Sequence, residues 1–147
     1  MSNYSKGVIS IPEVTGNIVI TVTTEGQAVN LFDSATASYN ARIKSTGAVV
    51  TGVDGIVVTA PIDVRSLTTL TVSGITEVHN SGLNYYALIC AYSDPAGTTI
   101  SGTVTTYKTE QYTFDVSAAS YVRLSFVLKD NVAISTADTA NLTIYGS

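Results

Sequence analysis

Nine tyrosines stand against three phenylalanines and no tryptophan, and the chemistry this chain can do begins with them. A tyrosine offers an apolar ring face and a hydroxyl that can stay wet. That suits sugars, whose C–H faces stack on rings while their hydroxyls seek polar partners. Tyr85, Tyr86 and Tyr92 fall on one apolar stretch, Tyr107 and Tyr112 flank a turn, and Tyr121 lies two residues from Arg123. Residues two apart on a strand share a face, which sets the Tyr121 ring beside a five-donor guanidinium. Tyr85, Tyr107, Tyr121 and Arg123 are therefore the residues expected to carry a saccharide. The same rings also serve as half-buried strand residues, since aromatics favour strands.

Other site chemistry finds little support. His79 stands in Glu77-Val78-His79-Asn80-Ser81-Gly82, a turn-like stretch, and with one histidine and one cysteine in the chain there is no metal-ligand spacing. Cys90, flanked by Leu88, Ile89 and Ala91, reads as a small buried hydrophobe and excludes an intrachain disulfide. Serines abound, yet no Gly-x-Ser-x-Gly occurs, and Glu13, Glu25, Glu77 and Glu110 sit in no hydrolase motif. The expectation is a protein that is not an enzyme. Asn3-Tyr4-Ser5 and Asn141-Leu142-Thr143 have the form of glycosylation sequons, coincidental in a chain so rich in Ser and Thr.

Composition narrows the partners. The 147 residues are 45% hydrophobic and only 12% charged, an ordinary single-domain size with too little charge for intrinsic disorder. Ser and Thr, about a quarter of the chain, must supply solubility, as on a secreted, virion or cell-surface β protein. Seven basic against eleven acidic residues leave a net charge of −4 with no Lys/Arg cluster, so nucleic acid and anionic membrane are poor partners. Met1-Ser2-Asn3-Tyr4-Ser5-Lys6 leads into no signal-peptide-like run, and no stretch reaches the about 18 apolar residues of a membrane span.

The elements that must position the tyrosines are strands. Period-2 alternation dominates, and apolar residues at i, i+3, i+4 and i+7 are sustained nowhere. Ile9 and Ile11 before Thr15-Gly16-Asn17, and Ile18, Ile20 and Val22 after it, predict an N-terminal hairpin or strand pair over 7–24, with Pro12 at an edge or strand end. The irregular stretch after Glu25-Gly26-Gln27 divides a connector, 1–27, from a main module, 28–147. Strands are expected there near 48–53, 55–60, 68–73, 84–92, 98–100, 111–116, 121–128 and 140–145. That count and spacing favour an all-β, two-sheet antiparallel sandwich. In Tyr121–Leu128, Val122, Leu124, Phe126 and Leu128 form the core face, and Tyr121, Arg123 and Ser125 the outward one. Leu70 and Val72 likewise oppose Thr69, Thr71 and Ser73, and Val72, Leu88, Val122, Leu124 and Phe126 are predicted core residues.

Three stretches in order carry a resemblance. They are Asn30-Leu31-Phe32-Asp33 after Ile11–Ile20; Ala60-Pro61-Ile62-Asp63-Val64 through Leu70–Gly74, Tyr85–Leu88 and Tyr92-Ser93-Asp94 to Ile100-Ser101-Gly102; and Tyr112–Val116 with Ala119–Phe126. Together they resemble the carbohydrate-binding-like β-sandwich modules, of galactose-binding jelly-roll type, found in tail and baseplate proteins of phages of Gram-positive bacteria. The resemblance implies a jelly-roll-like sandwich in a virion that recognises host cell-wall saccharide in host attachment. It implies contacts with other virion proteins and a homo-oligomeric tail assembly. It further implies, as the one cofactor to consider, a structural calcium near Asp33, Asp130 and Asp138, although their spacings match no compact calcium loop and also fit solvated turn aspartates. A structural or decoration module that contacts only protein is the alternative, because a tyrosine-bearing face fits a subunit as well as a sugar.

Overall fold

The computed structural model describes residues 3–5, 8–10, 28–75, 87–102, 104–107 and 112–147. The chain is all-β, and among the described residues every strand pair is antiparallel. β1 (Asn3–Ser5) and β2 (Val8–Ser10) pair in the register Tyr4↔Ile9, earlier in the chain than the hairpin expected over 7–24. Its predicted turn, Thr15-Gly16-Asn17, and Pro12 lie outside the described residues.

From residue 28 onward the strands are β3 (Ser38–Tyr39), β4 (Ala41–Ile43), β5 (Val49–Thr51), β6 (Ile56–Val58), β7 (Ile62–Asp63), β8 (Thr69–Ser73), β9 (Ala87–Tyr92), β10 (Thr105–Tyr107), β11 (Thr113–Asp115), β12 (Tyr121–Val127) and β13 (Thr143–Gly146). A large sheet has the order β10-β9-β12-β6-β3, with β7 continuing alongside β12 beyond β6. A small sheet has the order β11-β8-β13, and β4 and β5 form a separate hairpin. Of the expected strands, 98–100 is only an isolated bridge between Tyr92 and Ile100. The short β3, β4, β7 and β10 were not expected, because two or three residues carry too little periodicity to announce a strand.

The two sheets share one core. Leu70 and Val72 from β8, Phe114 from β11 and Ile144 from β13 meet Val57, Ile62, Ala87, Val122, Leu124 and Phe126 of the large sheet. All five predicted core residues are at most 3% exposed. Phe32 of the Asn30-Leu31-Phe32 segment joins this core because Asn30 clamps the segment onto β13. The Asn30 side-chain oxygen accepts from the backbone N–H of Phe32 (3.0 Å) and Ile144 (2.8 Å).

The large sheet is covered on its second face as well, and this corrects the outward face assigned to β12. Leu88, Cys90 and Tyr92 of β9, Ile56 and Val58 of β6 and Val127 of β12 pack against Ala41 and Ile43 of the β4–β5 hairpin. Ser125, expected outside, is 0% exposed. The hairpin reaches that face because Asn40, at φ 51°, turns the chain out of β3. Its amide then ties the corner down, accepting from Ile134 N–H at 2.8 Å and donating to the Ile134 carbonyl at 2.9 Å.

β6 and β7 are separate strands because Pro61 has no N–H to offer β12. At the break the Thr59 hydroxyl, 3.0 Å away, accepts from Leu124 N–H in place of a backbone carbonyl. The Thr59 carbonyl turns to Arg123 instead, whose Nη1 donates to it at 3.0 Å.

Candidate functional site

At the β9–β10 edge of the large sheet, beside the turn that leaves β11, lies a groove of about 330 Å³, at the small end of ligand pockets. Its positions follow from alternation. Ile89 and Ala91 on β9 and Val122 on β12 point to the inter-sheet side and floor the groove, where it opens from the main core. Thr105 and Tyr107 share that side of β10, in register with Ile89 and Ala87. The half-buried Tyr107 ring meets Phe114 edge-on at 5.3 Å and 80°, a geometry in which the positive edge of one ring meets the negative face of the other.

The far wall is the turn after β11. Asp115 Oδ1 accepts from the Ser117 backbone N–H at 2.9 Å and from the Ser117 hydroxyl at 2.7 Å, an aspartate organising its own turn two residues on. Ala119 N–H closes the turn onto the Val116 carbonyl at 2.9 Å. The Ser117 hydroxyl, and then the Ser117 N–H, hold the Asp115 carboxyl below the usual carboxylate range, so it is an acceptor at neutral pH. Ser101 adds another hydroxyl to the rim. An apolar floor, one oriented ring, hydroxyls and one carboxylate can stack on a pyranose C–H face and accept from its hydroxyls. Among the described lining residues none is a cation.

Of the three described residues expected to bind saccharide, Tyr107 lines this groove and Tyr121 and Arg123 do not. Tyr121 and Arg123 do share a face, as alternation requires, but it is the opposite face of β12 from Val122. There the Arg65 guanidinium lies 5.2 Å from the centre of the Tyr121 ring, while Arg65 itself is forked onto Asp63 at 2.6 and 3.0 Å. Arg123 is occupied with the backbone, donating to the Thr59 carbonyl and, at 3.3 Å, to that of Ala96. Tyr85 lies outside the described residues, as do Tyr86 and His79. Sequence reasoning missed Asp115 and Ser117 as site residues. The Asp-x-Ser step directly after a strand was their one local signal, and it announces a turn rather than a ligand.

The three aspartates considered for calcium do not assemble. Asp33 Oδ1 accepts from Ala35 N–H at 2.9 Å. Asp138 pairs with Lys129 at 2.5 Å and accepts from Ser135 N–H at 2.8 Å. Among the described residues no three His, Cys, Asp or Glu side chains, Asp130 included, form a group able to hold a metal ion.

Comparisons with protein-family models, with curated proteins and with solved structures give no match to this chain.

Proposed function

We propose that this protein is a non-catalytic carbohydrate-binding module that takes a sugar unit of a cell-wall polysaccharide in the groove beside Tyr107. The observation that carries the proposal is the Tyr107 ring, held edge-on by Phe114, in one groove with an apolar floor and the Asp115–Ser117 rim. A ring held in place loses little entropy on stacking, and an ionised carboxylate accepts strongly from sugar hydroxyls. The resemblance to phage tail and baseplate modules supplies the setting, a virion protein in many copies. A single shallow groove gives weak binding, of order mM to μM, and many copies on one particle raise it by avidity.

The test is a binding titration of the module, displayed multivalently, against Gram-positive cell-wall polysaccharide, followed by tyrosine emission because no tryptophan is present. Tyr107→Ala, which removes the stacking ring, should weaken binding about tenfold, or about 1.4 kcal/mol, while Tyr121→Ala leaves it unchanged. Loss on Tyr121→Ala with Tyr107→Ala unaffected would move the site to the other face of β12. No binding by any multivalent form would leave the alternative, a structural module of a particle that contacts only protein.

A further inference from the structure

Building on the saccharide reading of the groove, we infer that the site discriminates by charge: it takes neutral or amine-bearing pyranosides, which donate to Asp115, and rejects those carrying carboxylate, phosphate or sulfate. Two observations support this. First, Asp115 is the one charged residue among the groove's described lining. Both hydrogen bonds that described residues make to its side chain end on Oδ1, so among these bonds none uses Oδ2. A carboxylate only accepts, so its partner must bring a hydroxyl, an amide N–H or an ammonium group.

Second, among the described residues three of the five Lys and Arg side chains are engaged away from the groove. Arg65 is forked onto Asp63, Arg123 serves the Thr59 and Ala96 carbonyls, and Lys129 pairs with Asp138. The net charge of −4 adds a field of the same sign as Asp115. An anionic substituent about 5 Å from the Asp115 carboxylate meets a repulsion worth roughly tenfold in affinity at an effective dielectric between that of a protein surface and water.

The test uses one polymer in two charge states: Gram-positive wall polysaccharide stripped of phosphate esters, and the same material with its primary hydroxyls chemically oxidised to carboxylates. The multivalent wild-type protein should bind the oxidised polymer about tenfold or more weakly, with the gap narrowing as salt rises. Asp115→Asn keeps an oxygen for Ser117 and removes the charge, so it should close the gap mainly by raising affinity for the oxidised form. Equal wild-type binding of both polymers, or a gap unchanged in Asp115→Asn, would overturn the charge rule and leave the saccharide reading standing. Failure to bind even the neutral polymer would defeat the saccharide reading, and the charge rule with it.

Discussion

Arg123 was expected to hold a sugar, and its surroundings give it a different task, so Arg123→Ala separates the two roles. Its Nη1 donates to the Thr59 carbonyl at 3.0 Å and its Nη2 to that of Ala96 at 3.3 Å. Thr59 is 1% exposed, so truncation strands its carbonyl away from water, a cost of about 1–3 kcal/mol. Ala96 is exposed, and water replaces the guanidinium there at little cost. The Arg123 guanidinium also lies against Gly97, and its removal adds lost contacts. Against this, Arg123 Nε is buried without a hydrogen-bond partner, and removing it returns part of the loss. The balance is a destabilisation of about 2 kcal/mol, which for a domain of this size lowers Tm by about 6–8 °C. Thermal melts and urea titrations followed by circular dichroism measure it. Arg123→Lys should fall between wild type and Arg123→Ala, since one ammonium cannot fork to two carbonyls. The folded Arg123→Ala protein should still bind polysaccharide at the wild-type level. A stability within about 0.5 kcal/mol of wild type, or binding lost while the fold persists, would refute the argument.

Phe126, 1% exposed and 6.2 Å from the Phe114 ring, should cost roughly 3–5 kcal/mol as Phe126→Ala; an unchanged urea midpoint would contradict the two-sheet core. Stability should fall as pH drops from about 4 toward 2. Asp63 is lowered by the Arg65 hydrogen bonds to about 2 from the 3.8 of a free aspartate, so the unfolded chain takes up that proton at a higher pH than the folded one. Asp63→Asn should flatten the slope of urea midpoint against pH in that window, and an identical slope would show the pair to be silent. Cys90, 1% exposed and with its thiol pKa raised by burial, should react with a thiol reagent only as fast as the protein unfolds. Rapid labelling in native buffer would show that the second face of the large sheet opens locally.

Much of the strand framework was legible in the residues. The alternation of Val122, Leu124 and Phe126 against their neighbours, and of Leu70 and Val72 against Thr71 and Ser73, is a local property of the chain, and the structure buries the first members of both sets. Alternation names two faces of a strand, but it does not say what lies over the second. Tyr121, Arg123 and Ser125 read as a wet face because they are polar. Only the tertiary structure decided otherwise, when Asn40 swung the β4–β5 hairpin across that face and Pro61 broke the neighbouring strand, leaving a carbonyl for Arg123.

The groove shows the same division. That the chain is rich in tyrosine, poor in charge and without motifs for metal or catalysis is written in its composition, and it sufficed to suggest sugars rather than nucleic acid. Which tyrosine can meet a ligand was a matter of contacts far apart in sequence. Tyr107 is oriented by Phe114, floored by β9 and β12, and faces a turn built by Asp115 and Ser117. The sequence by itself determined the strand period and the kinds of side chain on offer, because both depend on neighbours along the chain. The tertiary structure alone decided which polar face stays open, because that depends on where distant segments pack.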